Sequence, residues 1–188
     1  IFKKEDDVTF IHLIRDPRDN YASLKSGAKK YYSKLGESEM KLLSSTINRA
    51  KLDFKFIDIN KSIFGKSRYL VIKYDELTKK TKKTMMKICK FLKIKFDVNL
   101  LKPTILGAKT SGNNFDGENF SSVNSKNVGR WHERITMEEA KILEIYFENE
   151  MKRYGYKISK INKDDKYIYL SNFYKWVNKN FYYHDSFK

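Results

Sequence analysis

Residues 8–14, Val-Thr-Phe-Ile-His-Leu-Ile, form an almost unbroken apolar run. A run of this kind predicts a strand buried on both faces, as in a parallel sheet. It stops at Arg15, and Asp16-Pro17 then predicts a helix start, with Asp16 as N-cap and Pro17 at the first helical position. Residues 38–64 predict a long helix, with Met40, Leu43, Ile47, Leu52, Phe54 and Ile57 among its apolar positions. Residues 68–74, Arg-Tyr-Leu-Val-Ile-Lys-Tyr, predict a second buried strand, and residues 78–92 a helix whose apolar face is Met85, Ile88, Phe91 and Leu92.

Between residues 102 and 129 the periodicity is lost in a Ser/Asn-rich stretch broken by Gly107, Gly112, Gly117 and Gly129. Unpatterned runs of that length inside a domain are usually functional or disordered. Regular spacing returns at residue 135. Thr136 and Glu139 predict a capping box, Ala140, Leu143, Phe147 and Met151 one apolar face, and Gly155 the C-cap. A last aromatic helix is expected over residues 167–181. Strand, helix, strand, helix is an α/β pattern. The 188 residues suit one domain of ordinary size.

Charge narrows the range of partners. The chain holds 39 Lys+Arg against 23 Asp+Glu, a formal charge of +16. That surplus suits an anion: a nucleotide, a nucleic acid, an acidic polysaccharide or a membrane surface. A lysine-rich composition spread evenly over the surface accounts for it equally well. The single cysteine, Cys89, excludes an intrachain disulfide and a cysteine-based zinc site, and its helical context predicts a core position. No apolar run approaches the roughly 18 residues of a membrane-spanning helix. The chain starts at Ile1 without methionine, so it is expected to be a piece of a longer protein. A cytoplasmic location is the default expectation.

The candidate chemistry sits where the strands end. Ligands of open parallel sheets bind at the carboxyl ends of the strands. Arg15 falls at such an end, where a guanidinium makes paired hydrogen bonds to phosphate. The helix after it offers unpaired backbone N–H groups. Ser23 lies two turns along that helix, and Tyr74 closes the second strand, where its ring suits a base or sugar. On spacing alone, a salt bridge capping the helix explains Arg-Asp-Pro-Arg-Asp as well as an anion site does.

Four stretches, in order, resemble the sulfotransferases that use 3′-phosphoadenosine 5′-phosphosulfate (PAPS). Residues 8–23, VTFIHLIRDPRDNYAS, resemble the 3′-phosphate motif, with Arg15 and Ser23 at its spacing of eight. YLVIKYDEL resembles the strand whose closing tyrosine, here Tyr74, lies near the adenine. KKTMMKICKFLKIKFD resembles the helix that follows that strand. NVGRW and the helix after it resemble the C-terminal segment, in the wording of the bacterial and tyrosylprotein-type branches rather than the cytosolic small-molecule branch. The resemblance spans residues 8–156 of a single domain 1–188, and leaves 157–188 as a basic aromatic tail.

The resemblance implies an α/β fold with a P-loop-like, three-layer parallel sheet and flanking helices, its N-terminal part absent from this chain. It implies sulfuryl transfer from PAPS to an acceptor hydroxyl, with 3′-phosphoadenosine 5′-phosphate (PAP) as product and no metal. Arg15, Ser23, Tyr74, Arg130 and, more weakly, Ser111 are the implied nucleotide contacts; Lys126 is supported by charge and position alone, and Trp131 is expected to pack. The phosphosulfate loop and the catalytic base are missing, and the base is expected upstream of Ile1. His12, His132 and His184 are expected to be structural or solvent-exposed. The acceptor's class is open. The tail, with Leu170, Phe173, Tyr174, Val177 and Phe181 at helical spacing, is expected to pack on the domain or to self-associate, with a membrane-surface helix as the alternative. The competing functions are a nucleic-acid- or polyanion-binding module without catalysis, and a nucleotide enzyme of related fold such as a kinase.

Overall fold

The structure is a computed structural model, and it describes residues 8–31, 39–110 and 122–180. It is mixed α/β and mostly helical, with a small parallel sheet. The elements run β1 (Phe10–Ile14), α1 (Pro17–Tyr31), α2 (Glu39–Arg68), β2 (Tyr69–Lys73), α3 (Tyr74–Lys79), α4 (Thr81–Leu92), β3 (Thr104–Ile105), β4 (Ala108–Lys109), α5 (Trp131–Arg134), α6 (Met137–Tyr146), α7 (Glu148–Arg153) and α8 (Lys163–Asn180). The chain divides into two compact units: Ile1–Arg15 with Leu52–Arg130, and Asp16–Lys51 with Trp131–Lys188.

The first unit is built on β1 and β2, which pair in parallel with Phe10 opposite Tyr69 and Ile14 opposite Lys73. Phe10, Phe64 and Tyr69 cluster on one face, the first two with ring centroids 4.6 Å apart. His12 joins them through a 2.6 Å hydrogen bond between Nδ1 and the Tyr69 hydroxyl. Ile72 is buried, but Ile11 and Leu13 are 42% and 49% exposed. The expected burial of β1 on both faces therefore fails among the described residues, because a pair of strands covers little of the opposite face. α2 reaches β2 through a break at Gly65, whose φ of 67° and ψ of 178° lie in a region that is essentially glycine's alone.

The predicted helix over 78–92 is two helices. They meet at Lys80, whose φ of −129° and ψ of 45° are not helical. Cys89 is buried on α4, as its context suggests. The stretch expected to lack structure contains a minimal hairpin, β3–β4, turned by Leu106 and Gly107, both at positive φ. Two consecutive left-handed residues are what a two-residue hairpin turn requires.

The second unit centres on α1 and α6. Asp16 caps α1: its Oδ1 accepts the Arg18 N–H at 2.9 Å. Thr136 and Glu139 form the capping box at the start of α6. The helix predicted there breaks at Phe147, a fully buried residue that ends α6 and begins α7. Gly155 follows α7 at φ 69°. On the first part of α2, Leu43, Ile47 and Ala50 are buried; further along, in the first unit, Phe54 and Ile57 are buried too. Leu52 lies off that stripe and is 54% exposed, so its place among the apolar positions is corrected. α8 packs through Phe173 and Val177, and the Phe173 ring meets Tyr146 edge-on with centroids 5.7 Å apart.

Candidate functional site

Parallel pairing brings two successive chain ends to one edge of the sheet. Ile14 and Lys73 are partners, so the residues that follow them, Arg15 and Tyr74, emerge side by side. The Arg15 guanidinium carbon lies 4.7 Å from the centroid of the Tyr74 ring. A guanidinium placed over a ring face keeps its N–H edges available to other acceptors. One edge is used: Nη2 of Arg15 donates to the main-chain carbonyl of Asn127 at 2.7 Å. Nε of Arg15 is buried without a hydrogen-bond partner. A buried unpaired donor is costly, by about 1–3 kcal/mol, unless an acceptor meets it.

Asn127 also touches the next arginine. Its Oδ1 accepts from Nη1 of Arg130 at 3.3 Å. The turn that presents it closes with the Val128 N–H on the Ser125 carbonyl at 2.9 Å, and Gly129 follows at φ 83°. Arg15, Tyr74, Asn127 and Arg130 thus gather in the first unit at the carboxyl ends of its strands. Sequence reasoning missed Asn127, whose bond to Arg15 runs through the main-chain carbonyl and leaves no side-chain signature. Lys126 is exposed within this turn.

Ser23 lies half-buried on α1 in the second unit. Ser111 and His184 fall outside the described residues. His132 is exposed, its ring lying against Trp131 at 3.5 Å between centroids. The Arg-Asp-Pro-Arg-Asp stretch divides at the unit boundary. Arg15 faces the strand ends, while Asp16, Arg18 and Asp19 build the second unit's interior. Arg18 bonds Asp16 at 2.7 Å and Glu144 at 2.6 Å, and all three are buried. Burial opposes the charged guanidinium, but the bonds to the two carboxylates outweigh it and raise the Arg18 pKa. Arg18 also lies over the Trp131 ring at 4.3 Å, and Asp19 accepts the Trp131 N–H at 3.0 Å. Trp131 packs there with Ala22, Ala140 and Ile135.

A second ion cluster surrounds the buried Lys25, which bonds the buried Glu139 at 2.8 Å and the exposed Glu39 at 2.9 Å. The Tyr21 hydroxyl donates to Glu139 at 2.6 Å; burial first, and that carboxylate second, push its pKa well up. A cavity of about 240 Å³ in the same unit is lined by Glu144, Glu148, Ser159 and Lys166 among others. Its carboxylates are paired, Glu144 with Arg18 and the Ser159 N–H, Glu148 with Lys152. Among the described residues no cluster of three or more His, Cys, Asp and Glu is placed to hold a metal.

A family model described as the sulfotransferase family matches residues 5–98. No curated protein matches the chain. Among solved structures, a sulfotransferase domain from the curacin biosynthetic pathway superposes with a TM-score of 0.56 at 18% identity. The match covers 81% of this chain and 55% of that one, so the chain spans little more than half the length of that structure. At this identity the likeness establishes the fold. The family model takes in β1, α1, α2, β2, α3 and α4, half of the chain, and the chain belongs to the sulfotransferase family.

Proposed function

We propose that the chain forms the 3′-phosphoadenosine side of a PAPS-dependent sulfotransferase. The observation that carries this is Arg15, placed over the Tyr74 ring, tethered by Asn127, with a buried Nε lacking an acceptor. A phosphate oxygen accepting from Nε satisfies that donor and adds a charge-assisted bond. Arg130, held by Asn127, supplies a second cation to the same phosphate group. Tyr74 presents its ring beside the adenosine. Ser23 enters through the arginine-to-serine spacing of the motif, and Ser111 through the motif resemblance. The residues therefore fit the nucleotide, and PAPS when bound supplies the activated sulfuryl group. The wording of Asn-Val-Gly-Arg-Trp favours the bacterial and tyrosylprotein-type branches. The P-loop-like, three-layer sheet belongs to the same proposal, with β1 and β2 as its parallel strands.

Calorimetric titration of PAP against 5′-ADP, repeated on Arg15→Ala, tests it. Preference for the 3′-phosphate is expected, with Arg15→Ala weakening PAP by about 10–100-fold, the range for a hydrogen bond to a charged group. Equal affinity for the two nucleotides, or an Arg15→Ala protein that still prefers PAP, would overturn it.

A further inference from the structure

We infer that α4 and the turn after it form a docking surface for an anionic lipid bilayer, independent of the nucleotide site. Between Glu76 and Asp97 the chain has eight lysines and no acidic residue, half of its net charge of +16. These are Lys79, Lys80, Lys82, Lys83, Lys87, Lys90, Lys93 and Lys95, and every one is exposed. On α4, Lys83, Lys87 and Lys90 follow helical spacing opposite the face that buries Thr84 and Cys89. The inner face is thus committed to the unit, and the charged face is free to lie flat on a surface.

Apolar side chains set within that charge select the partner. Met86 is 50% exposed among the lysines of α4, and Ile94 and Val98 are 53% and 63% exposed just beyond it. A phosphodiester or glycan chain satisfies the lysines but leaves those groups in water. The interface of a bilayer takes both, since acyl-chain boundaries accept apolar side chains and anionic headgroups attract lysine. The same face lacks what single-stranded nucleic acid uses. No arginine lies in the run, and its aromatics, Phe91 and Phe96, are half-buried rather than presented for stacking. Among the described residues no helix is long and apolar enough to cross a membrane, so attachment through α4 is peripheral.

The test is co-sedimentation with vesicles of phosphatidylcholine alone or with about a third phosphatidylserine, at low and high salt. Binding to the anionic vesicles, lost at high salt, is expected. Replacing Lys82, Lys83, Lys87 and Lys90 by Gln is expected to lower it by at least about tenfold, since each lysine near such a surface contributes roughly a factor of five. The control replaces Lys157, Lys160, Lys175 and Lys179, exposed lysines of the second unit, and is expected to leave most of the binding. Met86→Ser with Ile94→Ser keeps every charge and is expected to weaken binding to the vesicles but not to a single-stranded RNA. Equal losses in the two lysine variants would overturn the inference. So would unchanged vesicle binding in the α4 variant, or α4-dependent binding to the RNA without binding to vesicles.

Discussion

The guanidinium of Arg15 lies over the ring of Tyr74, 4.7 Å from its centroid, at the carboxyl ends of two parallel strands. Charge alone does not describe what this arrangement offers. Arg15→Lys keeps the charge but loses the planar fork and the stacked face. Its affinity for PAP is expected to fall by about tenfold, close to that of Arg15→Ala. Tyr74→Phe, which preserves the ring, is expected to stay within about twofold, and Tyr74→Leu to weaken binding several-fold. Near-normal PAP binding by Arg15→Lys would mean that the site responds to charge only.

Asn127 holds the two arginines by different atoms, Arg15 by its carbonyl and Arg130 by its side chain. Asn127→Ala removes the second contact and leaves the first. Its calorimetric affinity for PAP is expected to fall by only a few-fold, less than in Arg15→Ala. A loss as large as that of Arg15→Ala would indicate that the side chain, and not the carbonyl, maintains the turn.

The Arg18–Glu144 pair is buried, 2.6 Å long, and shared with Asp16 and the Ser159 N–H. Breaking such a pair from one side strands a charge in the interior. Arg18→Met is expected to lower unfolding free energy by about 3–5 kcal/mol in urea titrations. A change below about 1 kcal/mol would put the pair with ordinary surface ion pairs.

His12 supplies a pH dependence. Burial lowers its pKa below 6.5, Lys61 adds to that effect, and Asp53 opposes it. The unfolded chain therefore takes up the His12 proton more readily than the folded one. The resulting stability is complete above pH 6.5 and is lost as pH falls from there toward the folded-state value. Urea midpoints at pH 7.5 and 5.5 are expected to differ less in His12→Asn than in the native chain. An unchanged difference would assign the effect to other groups.

Local chemistry was legible in the sequence. Asp16 caps α1 and Thr136 with Glu139 opens α6, because a cap is decided within four residues. The positions of Arg15 and Tyr74 at strand ends followed from two apolar runs. Their stacking did not, since register is set by pairing between distant strands. Asn127 was hidden for a different reason: a main-chain carbonyl is the same in every residue. The helix breaks at Lys80 and Phe147 escaped the periodicity, because apolar spacing continues across both while only the backbone angles change. Leu52 was misplaced because α2 carries apolar residues on more than one face, and the sequence does not say which face meets a neighbour.

The β1–β2 ladder has a consequence for the order of folding. His12 and Tyr69 meet across 57 intervening steps of chain, whereas the turns of α2 and α4 close within four. Contacts between distant segments must first overcome the entropy of closing the loop. The helices can form early on local contacts, and the ladder that sets Arg15 beside Tyr74 closes late. Competence to hold a ligand is then among the last properties a nascent or refolding chain acquires.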